Sequence, residues 1–427
     1  MKVGLIYLPH PYLGQPDAQA PLGLMYLATA LEEKNIECEI FNFSSSHTHE
    51  ALSKLTKCDI YGITVTSFEL PQANRFAHLI KELHPESKVI LGGPGTYSSE
   101  FVDNDVIDSI CLGDGENTII DMVRDVKTKS LATTYQGIGS INLDDIGFPA
   151  RHKLHSSQGG NIFAYNKNYK GTGSTILITS RGCPFKCAFC GSPYFTKVNK
   201  GVRYRSAQNI RDEVVQVQKD YNIHQFRISD DMFMSNKERV YEICELLGPL
   251  DVVWRISTRV KPLDEDLLKF MYEAGCKEVS FGIESFDNHV LKVLKKGTTA
   301  EDNARAVEIA KKVGMDVRML FMIKTPGQRK ETVPLNIEWL ERVPYDIIAC
   351  TTFIPIPGCD IWRNPDEYGI QIMDRNLDHY NFYFFGKLGE NKVKNIIRFV
   401  DRDNDEVNAE TQEFREYLKS VGKVNRG

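Results

Sequence analysis

Short apolar runs alternate with amphipathic segments along the first third of the chain. Runs typical of strands are VGLIYL, ECEIFNF, DIYGITVTS, KVILGG and DSICLGDGE. Between them, PLGLMYLATALEEKN, PQANRFAHLIKEL and ENTIIDMVRDV carry apolar residues at helical spacing. Strands and helices that alternate with short connections are typical of a parallel sheet covered by helices. We therefore predict a doubly wound, flavodoxin-like α/β domain over residues 1–141.

A second alternating series follows a polar, glycine-rich stretch, residues 142–172, that we interpret as a linker. The apolar runs of this series lie at 174–180, 225–229, 252–257, 278–283, 316–323 and 346–353, with helical patterns between them. Six strand–helix units resemble a (β/α) barrel with two units missing. We predict a partial (β/α)6 barrel over 173–375, with its chemistry at the carboxyl ends of the strands, and a short C-terminal cap or tail over 376–427.

The composition agrees with a water-soluble protein of about two domains. A chain of 427 residues exceeds one ordinary core, and 42% of its residues are hydrophobic and 26% charged. The net charge of −5, with no long basic run, argues against a nucleic-acid or anionic-membrane surface. No apolar stretch approaches the ~20 residues of a membrane span. The N-terminal MKVGLIYLPH predicts a strand rather than a secretory signal. We therefore expect a cytoplasmic protein.

Three cysteines, Cys183, Cys187 and Cys190, crowd into the loop after the first barrel strand. In a reducing compartment such clusters bind metal more often than they form disulfides. A closed zinc site needs four protein ligands, and the next histidine is His224, beyond a predicted helix. An iron–sulfur cluster held by three thiolates leaves one iron open for a small molecule. The pattern favours the cluster, with a non-catalytic zinc-binding module as the remote alternative. The other seven cysteines are expected to be small buried apolar residues.

The spacing C-x3-C-x2-C, with Phe189 before the last cysteine, resembles that of the radical S-adenosylmethionine (SAM) enzymes. The resemblance implies that the three cysteines hold a [4Fe-4S] cluster and that SAM chelates the open iron. One electron from the cluster then cleaves SAM to a 5′-deoxyadenosyl radical, which the protein positions and shields. The fourth ligand would be missing from the chain because SAM supplies it.

Motifs at the ends of later strands extend the resemblance. In the family, Phe189 would pack near the adenine, and Glu284 of GIES would contact SAM. Ser257 and Arg259 of ISTR are candidates for its carboxylate or hydroxyls, and RISDDMF, with Asp230, is similar to a family DD-x-F pattern. Structural roles stay open: a surface carboxylate for Glu284, and an ion-pair network at the barrel rim for the aspartates and Arg259.

One further motif departs from the family pattern. FMIKTPGQRKET resembles the F-x-I-G-x-P-G-E-T stretch that lies by the adenine on the fifth strand. Here Lys324 and Gln328 replace the usual Gly and Glu. The local turn and the polar contact made from this position are therefore open.

The doubly wound domain ahead of such a barrel resembles the cobalamin-binding radical SAM family. QAPLGLMYLATAL, VILGGPGTY, LGDGE and DDIGFPAR carry this likeness. Ligands of doubly wound sheets bind beyond the carboxyl ends of the strands, although glycines there can also serve tight turns alone. The candidate cobalamin contacts are Pro9, His10, Thr64, Ser67, Gly92, Gly93, Gly95, Tyr97, Gly113, Gly115 and Glu116. The D-x-H-x-x-G motif that supplies an axial histidine elsewhere is missing, and His10 is the nearest substitute.

The resemblance implies C-methylation of an unactivated carbon in a small molecule. One SAM would methylate cob(I)alamin, a second would supply the radical that abstracts hydrogen, and methylcobalamin would deliver the methyl group. A flavodoxin or ferredoxin is the expected electron donor, and neither a membrane nor a nucleic acid is an expected partner. The alternative is non-methylating radical chemistry (epimerisation, dehydration, cyclisation or ring rearrangement), with or without cobalamin.

Two further hypotheses concern particular side chains. Cys38, Cys58 and Cys111 could hold a second cluster, as in methylthiotransferases, but they lie in or at strands rather than in loops at the ligand edge. Candidate substrate contacts are Tyr194, Arg203 and Arg205 after the cysteine loop, and the aromatic residues from Tyr380 to Phe385 in the tail. The aromatic residues could equally cover an edge of the barrel.

Overall fold

Two six-stranded parallel sheets, one in each half of the chain, organise the protein. The structure is a computed structural model that describes residues 1–10, 20–137, 139, 142–154, 173–384 and 396–423, with residues 381–384 as backbone only. Phe385 and most of the predicted linker, residues 155–172, lie outside the described residues. The predicted domain boundaries therefore stay a prediction.

The first sheet has the strand order β2-β1-β3-β4-β5-β6. Its strands are β1 (Lys2–Tyr7), β2 (Glu37–Asn42), β3 (Ile60–Thr64), β4 (Lys88–Gly92), β5 (Ser109–Gly113) and β6 (Thr134–Gly137). The helices of this half are α1 (Leu22–Glu33), α2 (Thr48–Ser53), α3 (Leu70–Leu83) and α4 (Glu116–Lys127). Strand β1 pairs in parallel with both β2 and β3, which confirms the doubly wound order.

The sequence predicted five strands in this sheet and missed β6. Strand β6 is an edge strand of four residues, TYQG, of which only Gly137 is buried. A polar edge strand lacks the apolar signal of β1, whose residues Val3, Leu5 and Ile6 are completely buried. Pairing of Gly113 with Gly137 nevertheless extends the sheet on the far side of β5.

The second sheet runs β14-β13-β12-β11-β10-β7, and β7 and β14 form its two edges. Its strands are β7 (Ser174–Leu177), β10 (Gln225–Ile228), β11 (Val253–Thr258), β12 (Cys276–Glu284), β13 (Asp316–Ile323) and β14 (Ile347–Thr352). All six predicted strands are present and all pairs are parallel. The prediction of a six-stranded open barrel is confirmed.

Helices cover the outer face of the second sheet. They are α6 (Ala207–Tyr221), α7 (Lys237–Leu247), α8 (Glu265–Glu273), α9 (Asn288–Val293), α10 (Ala300–Val313) and α11 (Thr332–Arg342). Local signals fix their ends. Helix α10 begins with a capping box of Thr299 and Asp302 and ends at Gly314, whose φ of 101° is left-handed. Outward residues of the strands, such as Phe281 and Phe321, are buried beneath these helices.

A small insertion follows the first barrel strand. Strands β8 (Ser180–Arg181) and β9 (Arg203–Tyr204) form an antiparallel pair, with helix α5 (Ser192–Val198) between them. Sequence analysis did not predict this insertion, because its strands have two residues each. It places both ends of the cysteine loop on defined elements.

The C-terminal region contains α12 (Asp360–Arg363), β15 (Ile370–Ile372), α13 (Leu377–Phe384), β16 (Ile397–Phe399) and α14 (Asn404–Val421). Phe414 of α14 packs on Phe321, with ring centroids 5.5 Å apart, so this helix covers the outer flank of the barrel. Tyr380 is completely buried between Trp362 and Phe68. Tyr380 therefore belongs to the core, and its prediction as a substrate contact is wrong. Within the described residues, no helix is long and apolar enough to cross a membrane.

Candidate functional site

The cysteine loop lies at the carboxyl end of the barrel strands and is closed by one carboxylate. Asp231, three residues after β10, accepts hydrogen bonds from Gly182 N at 3.0 Å and from Ser192 Oγ at 2.8 Å. These donors stand at the two ends of the loop. Cys183 N also donates to Thr196 Oγ1 of α5 at 2.8 Å. Asp231 and α5 thus hold the backbone that presents the cysteines.

The three sulfur atoms have different surroundings. Cys187 is buried, while Cys183 and Cys190 are partly exposed. Arg259 Nη1 lies 2.8 Å from Cys187 Sγ, and Ser192 N donates to Cys190 Sγ at 3.4 Å. Burial raises the pKa of Cys183 to about 11. Among the described residues, no three His, Cys, Asp or Glu side chains converge as ligands of a single ion would. N–H donors at two of the three sulfurs are contacts that stabilise thiolate ligands, and ligation of the cluster by these cysteines stays a prediction.

Arg259 faces the cysteines from the end of β11. Its guanidinium lies 4.0 Å from the ring centroid of Phe185 and donates to the carbonyl of Lys296. Ser257, two residues earlier, is half-buried and stands in register with Ser280 of β12. Both predicted SAM contacts therefore belong to the part of the barrel that adjoins the cysteine loop, and their contact with SAM stays a prediction.

Asp230 is engaged by the backbone and side chains that follow β7. Its carboxylate accepts hydrogen bonds from Thr179 N at 2.6 Å, Thr179 Oγ1 at 2.5 Å and Ser180 Oγ at 2.6 Å. These bonds join the ends of two neighbouring strands. The geometry gives Asp230 the structural role that the sequence left open at the barrel rim, although without the predicted ion pair to Arg259.

Glu284 is a buried member of an ion pair rather than a surface carboxylate. Its Oε1 lies 2.8 Å from Lys296 Nζ, and both side chains are almost completely buried. Its φ of 64° is left-handed, an uncommon conformation for a residue other than glycine. A Cβ on Gly282 would lie 2.8 Å from both charged atoms, so glycine leaves room for the pair. Lys296 Nζ lies 5.8 Å from the ring of Phe189, which connects the pair to the cysteine loop.

The turn at Lys324, where the sequence departs from the family pattern, is closed by hydrogen bonds. Lys324 has a φ of 58°, where the usual glycine would be unstrained. The Gln328 side chain accepts a hydrogen bond from Lys324 N at 3.0 Å and thereby closes the turn. Lys324 Nζ donates to Asn408 Oδ1 at 2.8 Å. Burial, assisted by the charge of Arg415, lowers the pKa of Lys324 to about 8.

A cavity of about 340 Å³ lies between the ligand edge of the first sheet and the cysteine loop. Six predicted cobalamin contacts line it from the first sheet, namely Thr64, Gly92, Gly93, Gly113, Gly115 and Glu116. Residues of the barrel half line the opposite side, including Arg181, Gly182, Ser229 and Asp231. The prediction that the two ligand edges face each other is confirmed.

The cavity wall on the side of the first sheet combines open space and apolar residues with a few polar groups, Thr64, Asp114 and Glu116. A Cβ placed on Gly23 or Gly92 would meet no atom within 4 Å, so both glycines border open volume. The deeper walls are apolar and consist of residues such as Leu24, Ile63 and Met122. An apolar, mostly preformed cleft with a few polar groups is typical of a cofactor site. The geometry fits a large ring ligand at this edge.

The other five predicted cobalamin contacts lie outside the lining of this cavity, and the structure gives three of them different partners. His10 Nδ1 lies 3.0 Å from Glu69 Oε1, and burial lowers the pKa of His10 to about 4. Ser67 Oγ lies 3.4 Å from Ser98 Oγ. Tyr97 packs on Phe195 of α5, with ring centroids 4.7 Å apart. The remaining two are Pro9 and Gly95. Contact of these five residues with cobalamin stays a prediction that the cavity does not support.

Ion pairs that sequence analysis missed connect the two halves across this cavity. Arg181, next to the cysteine loop, contacts Asp114 at 2.9 Å and Glu116 at 2.6 Å. Arg203 of β9 contacts the same Asp114 oxygen at 2.7 Å. Burial acts to raise the pKa of Asp114, but the charges of Arg181 and Arg203 outweigh it and lower that pKa. The sequence feature that could have indicated these ion pairs is the two acids in LGDGE, which lie at a predicted ligand edge.

One of the predicted substrate contacts is corrected by these networks, and another stays open. Arg203 pairs with Asp114, as described above, and also lines the cavity, so its contact with a substrate stays a prediction. Arg205 is buried against Glu213, which also pairs with Arg151 at 2.7 Å. Tyr194 lies under the guanidinium of Arg363, 4.5 Å from ring centroid to Cζ. Arg205 is therefore a structural residue that ties the start of α6 to the segment before the barrel.

Comparisons with known proteins agree with this division of the chain. The B12 binding domain family matches residues 18–123, and the Radical SAM superfamily matches residues 177–340. An uncharacterized methyltransferase of Pyrococcus horikoshii is 30% identical over 376 residues, 82% of this chain and 78% of that protein. An anaerobic magnesium-protoporphyrin IX monomethyl ester cyclase of Rubrivivax gelatinosus is 26% identical over 85% of this chain and 68% of that protein.

A solved structure shares the fold along the whole chain. It is the radical S-adenosylmethionine methyltransferase TsrM from Kitasatospora setae, with tryptophan substrate and a SAM analog bound. The TM-score is 0.69 at 16% sequence identity, and the match covers 100% of this chain and 91% of that chain. The likeness therefore includes both parallel sheets and the C-terminal region.

Proposed function

The chain belongs to the cobalamin-binding radical SAM enzymes, and on that premise we propose that it methylates an unactivated carbon of a small molecule. The cofactors of this class are a [4Fe-4S] cluster, SAM and cobalamin. When bound, they supply a radical that removes hydrogen from carbon and a methyl group that takes its place. The proposal is supported by a cavity that is lined both by the ligand edge of the first sheet and by Gly182 at the start of the cysteine loop.

In this proposal Cys183, Cys187 and Cys190 hold the cluster. Asp231 keeps the ends of their loop together through Gly182 N and Ser192 Oγ. Arg259 places a positive charge against Cys187 Sγ, which stabilises a thiolate at that position.

Residues around the mouth of the barrel bind SAM next to the cysteines. Phe189 of the cysteine loop offers a ring face, and Ser257 of β11 offers a hydroxyl. Glu284 is held in place by Lys296, so its free oxygen has a fixed direction. Arg259 and Asp230 support this region from the ends of β11 and β10.

Glycines of the first sheet shape the edge at which cobalamin binds. Gly92, at the end of β4, borders open volume, whereas Gly93 and Gly113 allow close packing of the backbone behind that edge. Thr64 ends β3 beside them. The ion pairs of Arg181 with Asp114 and Glu116 close the side of the cavity. A closed cavity protects a reactive radical from water.

Two findings favour methyl transfer to a small molecule, and one favours a different outcome. The Pyrococcus horikoshii relative is called a methyltransferase, and TsrM was solved with tryptophan. The Rubrivivax gelatinosus relative is called a cyclase, which supports the second candidate, ring formation by the same cofactors without methyl transfer. A small electron-transfer protein, such as a flavodoxin or ferredoxin, is the proposed donor of the initiating electron.

The test is a search for a methylated product. The protein is purified and reconstituted without oxygen, then incubated with CD3-labelled SAM, a reductant and the small-molecule fraction of an anaerobic cell extract. Mass spectrometry is expected to find a compound that gains the CD3 group, and Cys187→Ala protein is expected to yield none. Formation of 5′-deoxyadenosine without any labelled product would reject methyl transfer and favour cyclisation.

A further inference from the structure

The C-terminal helix α14 is bonded to the turn that follows β13. We call this turn, residues 324–328, the β13 turn. Lys324 Nζ donates to Asn408 Oδ1 at 2.8 Å, and Gln328 Nε2 donates to Glu410 Oε2 at 3.0 Å. Lys324 and Gln328 are the two positions at which the sequence departs from the family pattern. Both departures therefore have partners on one helix, 84 and 82 positions later in the chain.

The contact between Gln328 and Glu410 needs a donor on one side and an acceptor on the other. Gln328 Oε1 accepts a hydrogen bond from Lys324 N, so the amide nitrogen of this side chain faces α14. Both oxygens of Glu410 also accept from Arg402, Oε1 at 2.6 Å and Oε2 at 3.0 Å. Burial acts to raise the pKa of Glu410, but the hydrogen bonds from Arg402 and Gln328 outweigh it and lower that pKa. Glu410 is therefore a carboxylate to which residue 328 donates.

A glutamate at position 328, as in the family pattern, would not fit this helix. Gln328 is buried, and the side chain of Glu410 is only 17% exposed. A second carboxylate at the 3.0 Å distance of the present hydrogen bond would repel the first. Arg402 carries one positive charge and would compensate only one of the two acids. The β13 turn and α14 are therefore matched to each other in this chain.

The β13 turn in turn contacts a helix that adjoins the cysteine loop. A Cβ on Gly327 would lie 2.8 Å from Val293 Cγ2, so the turn packs closely against the end of α9. The carbonyl of the next residue, Leu294, accepts a hydrogen bond from Ala188 N at 3.0 Å. Ala188 belongs to the cysteine loop and is completely buried. A continuous series of contacts therefore joins α14 to the backbone that presents the cysteines.

Hydrogen bonds also join the end of the β13 turn to the segment after Glu284. Arg329, the next residue after the turn, donates to Asp287 Oδ1 at 2.8 Å, and Thr332 Oγ1 donates to Asp287 Oδ2 at 2.6 Å. Asp287 is 1% exposed and caps the start of α9, where it accepts from His289 N at 2.8 Å. Helix α9 is thus held by the turn region at both of its ends.

We infer that Glu410 and Asn408 of α14 are positioning residues of the SAM site. They act through Gln328 and Lys324 on the β13 turn, which stands at the mouth of the barrel, where such folds bind their ligands. The inference rests on the proposed function, because it concerns the place at which that function binds SAM. Neither residue is proposed to touch SAM; each fixes the turn and α9 beside it.

An exchange of two side chains tests the inference on the reconstituted full chain. Gln328→Glu places two carboxylates side by side, and the dissociation constant of SAM is expected to rise about tenfold. The double variant with Gln328→Glu and Glu410→Gln restores one donor and one acceptor in reversed order. Its dissociation constant is expected to return to within about threefold of the wild-type value. Equilibrium dialysis with labelled SAM measures both.

Gln412→Glu is the matched control on the same helix. Gln412 Nε2 donates to Glu416 Oε1 at 2.9 Å in an exposed pair, so this substitution also places two carboxylates together. Solvent screens them, and SAM binding is expected to be unchanged. Iron content is measured for every variant and is expected to stay at the wild-type level.

Asn408→Ala gives a second test that adds no charge. It removes the acceptor of Lys324 Nζ, and the dissociation constant of SAM is expected to rise severalfold. This variant keeps the inference testable if Gln328→Glu fails to fold.

Three results would overturn the inference. They are wild-type SAM affinity in both Gln328→Glu and Asn408→Ala, no recovery in the double variant, or an equal loss in Gln412→Glu. Failure of the proposed function is separately visible, because SAM affinity would follow the expected series while no labelled product forms.

Discussion

The two walls of the central cavity are built in opposite ways. On the side of the first sheet, Gly23 and Gly92 contribute empty space above apolar residues. On the barrel side, Arg181 and Asp231 contribute charged groups held by ion pairs and hydrogen bonds, and Gly182 leads from this wall into the cysteine loop. A large cofactor that brings its own chemistry needs room, whereas an iron–sulfur cluster needs particular atoms. Added side chains on the first sheet are therefore expected to impair cobalamin binding, whereas removed side chains on the barrel side are expected to impair cluster binding.

Removal of a cysteine is the substitution with the largest expected effect. Cys187→Ala takes away a buried ligand next to Arg259, so iron binding and SAM cleavage are expected to fall to background. Iron analysis and detection of 5′-deoxyadenosine measure both. Cys38→Ala is the control, since that thiol is buried in β2 and is expected to be dispensable. Equal loss in Cys38→Ala would support a second cluster in the first domain.

Addition of a side chain tests the opposite wall. Gly92→Phe fills open cavity volume, so cobalamin binding is expected to weaken roughly tenfold or more while the iron content is unchanged. Gly92→Ala, whose methyl group meets no atom within 4 Å, is expected to bind normally. Binding is measured from the visible spectrum after desalting. Normal cobalamin binding by Gly92→Phe would place the cofactor elsewhere.

Loss of Arg181 weakens the link between the walls. Arg181→Met leaves Asp114 and Glu116 with one cation fewer in partly buried surroundings, and a cost of about 3 kcal/mol in unfolding free energy is expected. Arg124→Met, whose side chain is 64% exposed, is expected to cost less than about 1 kcal/mol. Urea denaturation measures both. Equal losses of unfolding free energy in the two variants would show that the ion pairs of Arg181 stabilise the fold no more than an exposed ion pair does.

The pH dependence of stability gives the smallest effect. The pKa of Asp114 in the folded protein lies below its ordinary value of 3.8. Its ionised form therefore stabilises the fold at pH values above about 4, and this contribution is lost as the pH falls through the folded pKa. As the pH falls from about 6 to about 3, the difference in unfolding free energy between the wild type and Asp114→Asn is expected to shrink. A constant difference would contradict the role of the charge.

Much of the barrel wall could be predicted from sequence because its signals are local. Cys183, Cys187 and Cys190 are close in the chain, and each of the six strands is an apolar run between amphipathic helices. The edge of the first sheet was also predicted, since glycines follow consecutive strands. Local spacing and alternation are the features that sequence patterns report best.

What was missed depends on residues far apart in the chain. Arg181 and Asp114 are 67 positions apart, and Glu213 of α6 pairs with Arg151 of the segment before the barrel in a buried network that also includes Arg205. The ion pair of Lys296 with Glu284 buries a carboxylate that was predicted to contact SAM and for which a surface position was left open. Arg255 and Arg318 approach Glu278 only when β11, β12 and β13 stand side by side. No single segment carries these partnerships.

We propose that cobalamin and the cluster bind on opposite sides of one cavity. This proposal is tested by the iron and cobalamin content of protein reconstituted without oxygen, compared between the wild type, Gly92→Phe and Cys187→Ala. We expect about four irons and one cobalamin per wild-type chain, loss of cobalamin alone in Gly92→Phe, and loss of iron in Cys187→Ala. Zinc in place of iron, or full cobalamin in Gly92→Phe, would contradict it.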